Sequence, residues 1–154
     1  LETSDLSFKP EHYLEASWEQ IDAARRLHNT QHYPAAIYIA GVAVECLLLA
    51  YRSRENPEFE NRHDLRSLFK ESGIAEFIRQ KDQRKVSAML GEVWSRWKNN
   101  YRFASYGRLI PEFRRLKLDR GIKGDILKHN SAVLIDYAFE IINLGVRRWT
   151  SKKK

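Results

Sequence analysis

What most constrains this chain is the run Tyr33-Pro-Ala-Ala-Ile-Tyr-Ile-Ala-Gly-Val-Ala-Val-Glu-Cys-Leu-Leu-Leu-Ala-Tyr51, which carries a single charge, Glu45. Pro34 suits the first turn of a helix, where its missing N–H is not needed, and no residue from Ala35 to Tyr51 breaks one. A helix apolar on every side must be covered on every side, by other helices or by lipid. The 17 residues from Ala35 to Tyr51 include Glu45 and fall short of the roughly 18 to 20 apolar residues that a membrane span needs. The run therefore reads as the central helix of a soluble bundle, with no membrane involved. Ala36, Ala40 and Ala43 share one face and would let a neighbouring backbone come close.

At 154 residues the chain fits one helical domain, 1–154, with a loose N-terminal arm at 1–9 and a basic tail at 150–154. Cys46 is the single cysteine, so no internal disulfide can form, and a reducing, cytoplasmic setting is expected. Neither a metal nor a cofactor is expected, because the five histidines show no ligand-pair spacing and Cys46 stands alone. No signal or transmembrane pattern is evident. The formal charge of +7 is unevenly placed: Arg102 to Lys128 holds eight Lys or Arg against Glu112, Asp119 and Asp125. No acid follows Glu140, while Arg147, Arg148 and Lys152 to Lys154 do. Such asymmetry favours acidic partners, nucleic acid above all; the plainer reading is a solubilising surface with a basic tail.

Periodicity predicts a first helix from about Pro10 to Asn29, with Asp5 or Ser7 capping it and Leu14, Trp18, Ile21, Ala24 and His28 along its buried stripe. A short link, Thr30 to Tyr33, makes an antiparallel pair with the central helix. Arg52 to Arg62 reads as a loop, followed by a short helix capped by Asp64 and stopped by Gly73. From Gln83 the pattern Val86, Met89, Leu90, Val93, Trp94, Trp97 predicts a long amphipathic helix ending near Asn99-Asn100. Tyr101 to Lys123 is irregular, with a short helical turn from Glu112 to Leu116, and a last helix spans about Asp125 to Trp149. The fold class is all-α: an up-and-down bundle of four main helices plus one or two short ones.

Several pieces in order resemble the HEPN domain family: Ala-Arg-Arg-Leu-His28, His32-Tyr-Pro-Ala-Ala, Ala40-Gly-Val-Ala-Val-Glu-Cys-Leu-Leu-Leu-Ala50, His63-Asp-Leu-Arg-Ser-Leu68 and Trp97-Lys-Asn-Asn-Tyr-Arg-Phe103. The resemblance implies a helical bundle that often homodimerises and binds nucleotide or RNA. It also implies frequent work beside a minimal nucleotidyltransferase in toxin–antitoxin or defence systems. Many members are metal-independent ribonucleases marked by Arg, four to six residues, then His. Here the histidine positions after Arg102 hold Gly107, Arg108 and Leu109. Arg25 and Arg26 precede His32 at a formally matching distance, but at the end of the first helix, where the family does not place its site. Eight residues separate Arg120 from His129.

The candidate nucleotide- or RNA-binding residues are Lys98, Tyr101, Arg102, Tyr106 and Arg108, where aromatics, Phe103 among them, are interleaved with cations that stack on bases and neutralise phosphates. Aromatics in a loop also seal bundle ends. Glu45 is expected as a buried polar anchor paired with Arg102, since a carboxylate in an apolar helix needs a partner. Asp64 is expected as a helix cap, with His63 steadying the loop. The favoured reading is a non-catalytic binding module. One alternative is a degenerate or rewired ribonuclease that uses Arg102 with His63 or His129; the other is a purely structural interaction domain.

Overall fold

The computed structural model describes residues 6–56 and 65–151; His63 and Asp64, and so the expected cap, lie outside them. Among the described residues six α-helices follow in order: α1 Pro10–Asn29, α2 Tyr33–Glu55, α3 Leu65–Ser72, α4 Gln80–Ser95, α5 Tyr106–Arg115 and α6 Ile126–Arg148. Two 3-10 turns, Ile74–Phe77 and Asn99–Phe103, complete the set, and no strand occurs among the described residues. The molecule is all-α, with α1, α2, α4 and α6 as the long helices.

α2 is central because its composition leaves no face for water. Ala36, Ile37, Ala40, Ala43, Val44, Leu47, Leu48 and Tyr51 are all fully buried, and the helix packs against α1, α3, α5, α6 and both 3-10 turns. One close approach is made at Gly41, where an added Cβ would lie 2.0 Å from Cδ1 of Trp97. The Trp97 indole N–H donates to the Tyr38 carbonyl at 2.9 Å, and its ring stacks on Tyr38 at 6.1 Å between centroids. A second is at Gly145 of α6, where an added Cβ would sit 2.7 Å from the Leu47 methyls. The Tyr51 hydroxyl donates to the Gly145 carbonyl at 2.5 Å beside it.

Four sequence expectations are corrected. First, α2 continues to Glu55 where a loop was expected from Arg52. Its 23 residues are long and apolar enough to cross a bilayer, so shortness does not describe this helix; two-thirds of its most apolar 18-residue stretch is buried inside the bundle. Polar residues in the last turn are stabilised by tertiary contact. The Arg54 guanidinium donates to the Trp149 carbonyl at 2.6 Å and lies over the rings of Trp149, Phe77 and Tyr51 at 3.8, 4.7 and 5.0 Å. Second, the start of α1 is not capped by Ser7. Lys9 occupies the cap position, and its backbone N–H donates to Nδ1 of His12 at 2.8 Å. Asp5 lies outside the described residues.

Third, α4 starts at Gln80 and stops at Ser95, short of Asn99, so Trp97 lies beyond the helix that was expected to carry it. Fourth, Tyr106–Arg115 is a helix, not an irregular segment. Ser105 caps it, its hydroxyl accepting the Arg108 N–H at 3.2 Å, and Leu109 and Phe113, four apart, are buried as its apolar stripe. Pro111 is accommodated inside it. The remaining boundaries agree with the periodicity: α1 and α6 fall where expected, Gly73 ends α3 at φ 68°, and Asp125 caps α6 by accepting the N–H groups of Leu127 and Lys128.

Candidate nucleic-acid interface

The segment from Trp97 to Arg115 is held at both ends by buried groups. Trp97 is seated on Gly41, and Phe113 and Leu109 turn α5 into the core. Between them the 3-10 turn Asn99–Phe103 buries Tyr101, which is 6% exposed and packs beside Phe113 at 6.1 Å. Tyr101 therefore seals the bundle end and offers no face for stacking.

Glu112 is the polar centre of this edge. One carboxylate oxygen accepts from Lys98 Nζ at 2.9 Å and from the Tyr101 hydroxyl at 3.1 Å; the other accepts from the Arg115 side chain at 2.8 and 2.6 Å. The hydrogen bond from Lys98 is the largest influence holding the Glu112 carboxyl down, from its usual 4.5 to about 2, with Arg115 and Tyr101 adding to it. Burial first, and then the Glu112 charge, pushes the Tyr101 hydroxyl well above its ordinary value.

Around this locked group lies an open cleft of about 320 Å³ lined by Lys98, Asn100, Tyr101, Phe103, Arg108 and Glu112. Phe103 is 76% exposed, and the Arg102 guanidinium lies over its ring at 4.6 Å. Tyr106, at the start of α5, is 47% exposed. Arg102 and Arg108 are exposed and make no ion pair with another described residue. Of the five residues singled out in the sequence, Lys98, Tyr101 and Arg108 thus line one cleft; Arg102 lies over the Phe103 ring beside it, while the Tyr106 hydroxyl is turned to Asp125 at the start of α6.

The expected pairing of Glu45 with Arg102 is not made. Glu45 is buried at 7% exposure, whereas Arg102 faces solvent over Phe103, and the Tyr101 hydroxyl is turned to Glu112. Sequence reasoning missed Glu112 and Arg115. Their three-residue spacing marks an ion pair once the segment is seen to be helical.

Among the described residues the histidines do not gather here. His129 is exposed on α6 and does not line the cleft. His32 is exposed, with Nδ1 3.0 Å from the Thr30 hydroxyl. Its formal partners are spent elsewhere, Arg26 on Asp22 at 3.0 Å and Arg25 over the Phe139 ring at 4.0 Å. His28 is half-buried, with Nδ1 2.9 Å from the buried Ser131 hydroxyl; burial, and then Lys128, lowers its pKa. Cys46 is half-buried on α2, and burial followed by the Glu45 charge pushes its thiol up to about 12, far from a reactive thiolate.

A bundle wound around one apolar helix, with an arginine- and aromatic-bearing cleft at its edge, defines the class: a small all-helical module with a polycation-bearing edge. The HEPN domain model matches residues 10–149, and the chain belongs to the HEPN domain family, whose members are generally modules associated with nucleotides and RNA. Comparison with curated proteins and with solved structures gives no match.

Proposed function

We propose that this chain is a non-catalytic HEPN module that binds nucleotide or RNA along the edge formed by residues 98–115. It works as a homodimer in the cytoplasm, beside a minimal nucleotidyltransferase in a toxin–antitoxin or defence system. The observation that carries the binding reading is Phe103, a ring 76% exposed under the Arg102 guanidinium at 4.6 Å, next to Arg108. An exposed ring offers a face on which a base can stack, and two cations that make no ion pair with a described residue suit the phosphates on either side of it. The non-catalytic part is supported by the sequence after Arg102, where the histidine positions of the family's ribonuclease motif hold Gly107, Arg108 and Leu109. The homodimer and the nucleotidyltransferase partner come from the family resemblance, and the lone Cys46 suits a reducing compartment.

Titration of the full chain with a fluorescent single-stranded RNA at several salt concentrations tests the binding. Saturable binding is expected that weakens with salt, and it is expected to fall several-fold in Arg102→Gln, Arg108→Gln and Phe103→Ala. Binding that ignores these substitutions sinks the assignment, as does no binding at low salt. Sedimentation analysis across concentration tests the dimer.

A further inference from the structure

Sharing no lining residue with the edge just described, a cleft of about 470 Å³ opens between α4 and α6, within the size range of small-molecule sites. The helical repeat explains its lining. Asp82, Val86 and Met89 are four and three apart on α4, and Glu140, Leu144 and Arg148 are four apart on α6, so two stripes face one another. The floor is apolar: Val86 and Met89 are buried and Leu144 half-buried. Its polar groups are partly paired: Lys85 reaches Glu140 at 3.9 Å, and Asp82 also lines the cleft. Arg147 and Arg148 make no ion pair with a described residue, Arg147 being exposed and Arg148 half-buried. Placement of arginines in the last turn of a helix complements its dipole; here that turn also borders an open cleft whose floor is the packed core between α4 and α6.

We propose that this cleft is a second binding site, for a small organic acid whose apolar body lies on Val86, Met89 and Leu144 and whose phosphate or carboxylate head is held by Arg147 and Arg148. The Asn143 amide is placed on the same wall to add a hydrogen bond. Met89 suits such a floor because an unbranched thioether adapts to the shape laid on it.

The test uses the full chain and simple probes: phenyl phosphate, benzoate, phenol and inorganic phosphate, followed by amide shifts of isotope-labelled protein. Either phenyl phosphate or benzoate is expected to bind saturably and roughly tenfold more tightly than both phenol and inorganic phosphate, since body and head each contribute. The tighter of the two identifies the head. Shifts are expected at Val86, Met89, Asn143 and Leu144 and not at residues 98–115. Arg148→Gln should weaken binding about tenfold, as loss of a charge-assisted hydrogen bond does. Leu144→Trp, which fills the floor, should abolish it while the helical circular dichroism is retained. Should Arg148→Gln fail to fold, Arg147→Gln reads the same contact. Equal binding of phenyl phosphate and phosphate overturns the site, as do shifts centred on Phe103 or affinity untouched by both arginine variants.

Discussion

At the scale of single residues, the contact between Gly41 and Trp97 has the least room for change. A Cβ at position 41 would sit 2.0 Å from Cδ1 of Trp97, against a ring already fixed by its hydrogen bond to the Tyr38 carbonyl. Gly41→Ala is expected to cost about 1 to 3 kcal/mol in urea denaturation, the range for overpacking a filled core. The penalty should largely vanish when the same change is made in a Trp97→Ala background; if it persists there, the clash is not its cause. Glu112 gives a prediction with a pH signature. Its carboxyl is held below the unfolded value of 4.5, at about 2. The stabilisation is therefore complete above about pH 4.5 and is lost as pH falls through that window toward 2. Solvent reaches this edge, which reduces the effect to about 1 kcal/mol. Glu112→Gln should flatten the slope of stability against pH between about 2 and 4.5, and an unchanged slope would place the acid-sensitive group elsewhere. The sequence marked Glu45 as a carboxylate set in an apolar helix, and it is buried. Its relation to Arg102 could not be read, because that depended on which way a 3-10 turn more than fifty residues away would face.

At the scale of elements, legibility followed local signals. α1 and α6 were readable because Pro10 and Asp125 mark their starts and long apolar stripes run through them. α5 was not, since Gly107 and Pro111 punctuate it as they would a loop; its helix is carried by the Ser105 cap and by burial of Leu109 and Phe113, and the latter is tertiary information. The last turn of α2 was hidden likewise, its polar residues being stabilised by contacts from α6 and from the Ile74–Phe77 turn. Arg54 makes that join. It donates to the Trp149 carbonyl and lies over three rings, yet its buried Nη2 has no hydrogen-bond partner among the described residues. Arg54→Ala removes the hydrogen bond and the packing together, and should lower stability by about 2 to 3 kcal/mol. Arg54→Met keeps much of the apolar contact and also removes the buried N–H that lacks a partner. It should recover roughly half of that loss. Were Met as damaging as Ala in thermal unfolding, the hydrogen bond to Trp149 alone would account for the join.

At the scale of the whole molecule, the charge of +7 suggested a polyanion partner, but the structure divides those cations into engaged and available ones. Lys98 and Arg115 are claimed by Glu112, leaving Arg102 and Arg108 beside the exposed ring of Phe103. Sequence could count the cations but not make this division, which required α5 to bring Glu112 back over Lys98. A partner attracted only by net charge would respond alike to the loss of any surface acid, whereas one seated on this edge would respond to the loss of Glu112 in particular. Two substitutions separate these cases while changing the formal charge equally. Glu112→Gln releases Lys98 and Arg115 toward the cleft, and Glu11→Gln removes an exposed acid from the first turn of α1. In the single-stranded RNA titration, Glu112→Gln is expected to tighten binding several-fold at low salt. It should also steepen the dependence of log affinity on log salt by about 0.7 for each added phosphate contact. Glu11→Gln should leave the slope where it was. Equal shifts from the two variants would assign the affinity to the overall field, and the Phe103 edge would then be a surface without a ligand of its own.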